Sequence, residues 1–260
     1  MAIFIMKKEE KNNKIQMIVA EEELKENEVI ESEADIEVLK EMMSAGLMYG
    51  HKTSKTNPKF RPYIALARNG MEIIDLAKTL SAIDSAAEFL SQQIKNKKMV
   101  IIVATQPAAW DVAEVLAKKF DLPYVKNRWI GGLITNFKIL SLRVEHFKKI
   151  QADMAKGEYE KYTKKERSVI NKQIEKMRIL FGGLENLTRV PEAMFVVDLD
   201  IKGHNTAIRE ARRMKVPVVA IIDSDDNPDL IDYPIPANDH AKASIEWIIN
   251  KIVGKISSDN

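Results

Sequence analysis

The run Met99 to Ala104, MVIIVA, constrains this chain more than any other stretch. A strand with one wet face alternates apolar and polar side chains, so an unbroken β-rich apolar run points to a strand covered on both faces, as in a parallel sheet. Met71 to Ile74, Tyr124 to Lys126, Ala193 to Val197, Val218 to Ile222 and Tyr233 to Ile235 read as further strands. Helical spacing separates them. Asp75 is placed to cap a helix through Leu80, Ile83, Ala87 and Leu90, and Pro107 opens one with Trp110, Val112, Val115 and Leu116 on its apolar side. Asn205 to Met214 gives another, and Ala241, Ile245, Ile248 and Ile249 line a last one. This alternation predicts an α/β fold, a doubly wound, mostly parallel sheet of flavodoxin-like or Rossmann-like type with right-handed crossovers.

After Asn136 the pattern becomes helix only. Phe137, Leu140, Val144 and Phe147 recur at three, four, three; Met154 extends that seam and Gln151 interrupts it. Ile170, Ile174, Met177, Phe181 and Leu184 recur at four, three, four, three. Two narrow seams joined by the polar segment Lys156 to Lys164 predict an antiparallel coiled-coil hairpin inserted between two strands. The expected organisation is an acidic, flexible extension over 1–34, a sheet domain over 35–136 and 185–254, the hairpin over 137–184 and a tail over 255–260. Within it, Ala34, Ile36, Leu39, Met42 and Met43 mark a helix that Gly46 ends, and Ile15 to Ala20 is a short β-like run in the extension.

The net charge of +2 hides an asymmetry. Residues 1–41 hold six Lys against twelve Asp or Glu; from Lys52 to Arg68 there are five basic residues and no acid; from Lys138 to Arg178 there are twelve basic against six acidic. Basic stretches kept apart from acidic ones imply an oriented polyanion partner. The chain has no cysteine, which excludes disulfides and thiolate chemistry and suits a reducing cytoplasm. Neither a signal peptide nor a membrane span is expected.

Two segments carry the basic reading. Leu47 to Asn69 is read as a loop, with Pro58 and Pro62 breaking helix and Lys52, Lys55, Lys59, Arg61 and Arg68 alternating with Tyr49, Phe60 and Tyr63. Cations neutralise phosphates, while rings stack on unpaired bases or pin the loop to the core. Val125 to Asn136, VKNRWIGGLITN, sets Arg128 beside Trp129, lets the backbone turn at Gly131 and Gly132, and offers Thr135 or Asn136 to cap the next helix. It looks like an anchor that launches a helix.

In an open parallel sheet, ligands sit beyond the carboxyl ends of the strands. Those ends carry Thr105 and Gln106, Asn127, Asp198 and Asp200, Asp223 to Asp226, and Asn238 with Asp239. Such a crevice could hold a Mg²⁺ or Zn²⁺ ion with Asp223 and Asp239 as ligands, although loop aspartates also stabilise turns, and no cofactor is required. The rival function is a Mg-dependent phosphoryl or nucleotide-binding enzyme or switch. No dinucleotide or P-loop glycine motif occurs, no nucleophile elbow occurs, and His51, His146, His204 and His240 form no close ligand pair.

Four blocks resemble one family, the bacterial-type S-two proteins of the small ribosomal subunit. They are GLMYGHKTSKTNPKFRPYI from Gly46, ARNGMEIIDLAKT from Ala67, NRWIGGLITNFK from Asn127, and PEAMFVVDLD with VPVVAIIDSDDNPDLIDYPIPAND from Pro191 onward. The resemblance implies a non-enzymatic ribosomal component in the cytoplasm. It implies contacts of sheet and hairpin with ribosomal RNA at the head-to-body junction, and docking of neighbouring small-subunit proteins, including the large one that recruits messenger RNA. The residues expected at the RNA are Lys52, Lys55, Asn57, Lys59, Arg61, Arg68, Asn69, Arg128, Trp129, Asn136, Lys138, Lys164 and Lys165. The chain departs from the family in its acidic extension, in Asp225-Asp226-Asn227, and in His240, where a second Asp is common.

Overall fold

The computed structural model describes residues 33–199 and 203–258. The extension, with its run Ile15 to Ala20, lies almost wholly outside the described residues, as do Asp200 and the last two residues of the tail. The chain divides into two units, residues 1–41 and 42–260. Helix α1 (Glu33–Ser44) ends where Gly46 takes a φ of +79° and the Leu47 N–H returns to the Met42 carbonyl.

Among the described residues the larger unit holds two sheets. The first contains β1 (Tyr49–Lys52), β2 (Ile64–Arg68) and β3 (Met71–Ile74), antiparallel in the order β1-β3-β2. Much of the segment expected as a loop is therefore strand, and β3 belongs to this sheet and not to the parallel one. Asn69 and Gly70, at φ 53° and 75°, form the two-residue turn between β2 and β3, with Arg68 opposite Met71. Both positions require left-handed backbone, which Asn-Gly accepts most readily.

The second sheet contains β4 (Val100–Val103), β5 (Tyr124–Val125), β6 (Ala193–Val197), β7 (Val218–Ile222) and β8 (Tyr233–Pro236), all parallel, in the order β5-β4-β6-β7-β8. Every residue of β4, β6 and β7 is buried, which is why those runs show no polar alternation. At the edge, β8 carries Pro234 and Pro236, which have no N–H to donate.

Among the described residues six further α-helices follow: α2 (Leu76–Lys95), α3 (Trp110–Phe120), α4 (Phe137–Ala155), α5 (Lys164–Phe181), α6 (His204–Arg213) and α7 (Lys242–Ser258). Asp75 caps α2, accepting from the Ala77 and Lys78 N–H groups at 3.0 and 3.5 Å. Alternate strand residues Ile101, Val103, Met194, Val196, Val218, Ala220 and Ile222 share a core with Trp129, Leu133 and Ile134 and with Ala207, Ile208 and Ala211 of α6. Helices α2 and α7 pack on each other, and α2 also packs against β8.

Helices α4 and α5 pair through buried Leu140, Val144, Phe147, Ile174 and Phe181, with the Phe147 and Phe181 rings 6.4 Å apart. A reciprocal capping box between Thr163 and Glu166 starts α5. At its other end Gly183 accepts a hydrogen bond from the Tyr124 N–H at 2.8 Å. A Cβ on Gly183 would stand 2.3 Å from the Tyr124 carbonyl oxygen, so only glycine fits this close approach.

Candidate nucleic-acid interface

The Arg128 to Asn136 stretch hangs on one carboxylate from α6. Glu210 Oε1 accepts from Trp129 Nε1 at 3.2 Å and from the Gly132 N–H at 2.7 Å. Its Oε2 accepts from the N–H groups of Ile134 and Thr135 at 3.1 and 3.3 Å, and from Thr135 Oγ1 at 3.2 Å. Burial alone would raise the Glu210 pKa; the bonds from Gly132, Trp129, Thr135 and Ile134 outweigh it and hold the group below the usual carboxylate range. Glu210 is therefore an ionised, buried tie at neutral pH.

This tie corrects one expectation, that Thr135 or Asn136 caps the next helix. The Asn136 side chain makes no capping bond to α4, and the Thr135 hydroxyl is spent on Glu210. Trp129 is 4% exposed, so its indole anchors the loop from within and has no free face for a base. Arg128, Asn136 and Lys138 lie exposed around it. Sequence reasoning missed Glu210, because in the string REARRMK it reads as one more surface charge.

The early basic segment splits by role. Lys52 and Lys55 line a 390 Å³ cleft with Tyr49, His51, Asp223 and His240. Lys59 pairs with Asp229, while Arg61, Arg68 and Asn69 are exposed. Asn57 stitches the segment to the parallel sheet, donating its backbone N–H to the Ser224 carbonyl at 2.8 Å and accepting from the Lys59 N–H at 3.1 Å. Phe60 is fully buried with its ring 5.3 Å from that of Tyr63, so of the three aromatics it is the one that pins, and Tyr49 is the half-exposed one. On α5, Lys164 lines a 600 Å³ groove with Arg167, Ser168, Asn171, Lys172 and Glu175, and Lys165 is exposed beside it. Arg167 and Lys172 were not singled out in the sequence; their place on one helix face with Lys164 is the signal that could have found them.

The strand-end crevice brings two of the four histidines together, though not as ligands of one candidate metal group. The His51 and His240 rings meet edge to face, 5.1 Å apart. His51 Nδ1 lies 2.9 Å from Asp223 Oδ2 and 3.3 Å from Asp225 Oδ1; His240 Nδ1 lies 3.8 Å from Asp198 Oδ2 and 3.7 Å from Asp239 Oδ1. Asp223 and Asp239 thus fall into separate three-residue groups, each compact enough to hold a metal ion. Asp239 is 2% exposed and its Oδ1 has no hydrogen-bond partner. Burial, then the neighbouring Asp198, Asp223, Asp226 and Asp225, push its pKa well up. Burial likewise raises Asp226 to about 8, with Asp225, Asp198 and Asp223 adding to the shift against a bond from the Asp223 N–H. His204, fully buried, is satisfied by Thr105 Oγ1 at 2.8 Å and the Asp198 carbonyl; burial lowers its pKa.

The chain matches the model of a protein family described as ribosomal protein S2 over residues 42–258. It is 38% identical over 218 residues to the small ribosomal subunit protein uS2 of Petrotoga mobilis, covering 84% of this chain and 75% of that protein. The uS2 protein of Coprothermobacter proteolyticus is 39% identical over 218 residues, 84% of this chain and 81% of the relative. That of Thermus thermophilus is 38% identical over 218 residues, 84% of each.

Proposed function

The chain belongs to the ribosomal protein S2 family, and from that membership we propose that it is a structural constituent of the small ribosomal subunit that binds ribosomal RNA and catalyses no reaction. The observation that carries this reading is the family match over residues 42–258, which takes in every basic surface described above. The rival phosphoryl-transfer reading has no support among these relatives.

Binding rests on charge and shape. Lys52, Lys55, Arg61, Arg68, Arg128, Lys138, Lys164 and Lys165 replace counterions along RNA phosphates, with Lys59 available once it leaves Asp229. Asn57, Asn69 and Asn136 act by placing the backbone or by polar contact, and Trp129 acts as the buried anchor. The sheet, read as doubly wound and flavodoxin-like, is supported by its order, 2-1-3-4-5 when the parallel strands are numbered alone. The paired helices α4 and α5 are read as a coiled-coil hairpin on the strength of their seam, giving the division 35–136 with 185–254, 137–184 inserted, and a 1–34 extension. The family resemblance supports a cytoplasmic ribosome, the head-to-body junction, and docking of the large protein that recruits messenger RNA.

The crevice fits a cation. Its donors are imidazole nitrogen and carboxylate oxygen, a set that suits Zn²⁺ and, through the carboxylates, Mg²⁺, and the lone buried Asp239 oxygen calls for a positive partner. His51 with Asp223 and Asp225, or His240 with Asp198 and Asp239, would hold it. The ion would supply charge neutralisation among crowded carboxylates.

Reversing Lys52, Lys55 and Arg61 to Glu tests the RNA reading. Isolated small-subunit RNA should bind with a log K against log salt slope shallower by about 0.7–0.9 for each phosphate that is no longer neutralised. Incorporation into small subunits should fall in parallel, and normal incorporation with an unchanged slope would remove this segment from the interface.

A further inference from the structure

Helix α6 has a second face. Its Glu210 points inward onto the Trp129 loop, while Arg209, Arg212 and Arg213, with Lys215 just past the helix end, are all exposed. Spacings of three and four set the three guanidinium groups on one side of the helix. Ion pairs among the described residues occupy six lysines and the arginines Arg178 and Arg189, but none of these four cations.

A purely local explanation covers only part of this. Cations in the last turn complement the helix dipole, which accounts for Arg212 and Arg213. Arg209 stands before that turn, and Lys215, at φ 57°, lies outside the helix. Arg209 and Arg213 are also like charges at a spacing that opposes helix formation. An exterior that concentrates unpaired positive charge against local preference points to a negative partner.

We propose that the outer face of α6 is a further phosphate-binding surface for ribosomal RNA, separate from the 52–68 segment and from the hairpin. This rests on the RNA-binding reading above. Planar guanidinium groups match phosphate oxygens two at a time. Among the described residues 203–215 the one exposed large apolar side chain is Met214, at 46% exposure, too little for the apolar centre of a protein interface. The helix that carries it also holds the base of the hairpin, so RNA engaged by Arg128 and Lys138 meets the same element from its other side.

The test uses the full chain and deproteinised small-subunit RNA. The triple variant Arg209→Gln, Arg212→Gln, Arg213→Gln should reduce the salt slope by about 2.1–2.7, at about 0.7–0.9 for each of three phosphates released. The charge-keeping triple Arg209→Lys, Arg212→Lys, Arg213→Lys should hold the slope, which a merely structural role would not explain. An unchanged slope in the Gln triple, with the Lys52, Lys55 and Arg61 reversal still lowering it, overturns this proposal and leaves the RNA reading standing. An unchanged slope in both overturns both. Loss of binding to purified small-subunit proteins with RNA binding intact assigns the face to an acidic protein and also overturns the proposal.

Discussion

Replacing Glu210 by Gln should loosen the stretch from Trp129 to Thr135 that leads into α4, at a definite energetic cost. The carboxylate accepts from five donors, and Gln keeps only one carbonyl oxygen. If that oxygen stays with Trp129 and Gly132, the amide NH₂ faces the Ile134 and Thr135 N–H groups. The Ile134 donor is buried and costs about 1–3 kcal/mol when left unpaired, while the part-buried Thr135 donor, which water can reach, costs about 0.5–1.5. The expected destabilisation is about 2–4 kcal/mol, a large share of the roughly 5–15 that a domain possesses. Urea unfolding at pH 7 measures it, with an unchanged m-value showing that the denatured state is not the cause. The pH dependence gives an independent check. Glu210 has a folded pKa below its ordinary value, so its contribution is complete above about pH 4.5 and disappears as pH falls through the folded pKa. The gap between the two proteins should therefore narrow below pH 4. A cost under about 0.5 kcal/mol at pH 7 would refute the reasoning, by showing that the five bonds are replaceable by water.

Gly183→Ala forces a methyl group to within 2.3 Å of the Tyr124 carbonyl oxygen, which is backbone and cannot swing aside; a destabilisation of about 1–3 kcal/mol in urea unfolding is expected. Asp226→Asn, in protein treated with EDTA, should raise stability near pH 8 and leave it unchanged near pH 3. With a folded pKa of about 8, the wild-type group binds more protons folded than unfolded across the interval above 3.8, so wild-type stability falls as pH rises there. Equal pH profiles for the two proteins would rule this out. EDTA should lower the melting temperature of the untreated chain, and added Zn²⁺ or Mg²⁺ should restore it; identical melting curves would speak against a bound ion.

The parallel sheet was readable because burial on both faces removes polar residues from β4, β6 and β7 altogether. The paired helices were readable from a seam that matches the residues found buried, Leu140, Val144, Phe147, Ile174 and Phe181, although Met154, expected to extend it, is exposed. The small antiparallel sheet was not, since β2 runs Ile-Ala-Leu-Ala-Arg with four of its five residues exposed and so shows no alternation. Asn69-Gly70 was the available signal for it. Neither Glu210 nor the pairing of His51 with His240 was legible, because each joins residues far apart in the chain, 78 positions in the case of Gly132 and Glu210. Such pairs are made by tertiary packing, which local periodicity does not encode.

The return of the chain at Gly183 bears on solubility as well as geometry. A parallel sheet ends in two open borders, each able to recruit a foreign strand. One border is blunted by Pro234 and Pro236 on β8; the other, at β5, is shielded because the segment leaving α5 bonds to Tyr124. The segment that leaves α5 therefore doubles as a cover, and a chain trimmed of residues 137–184 would bare that border and self-associate.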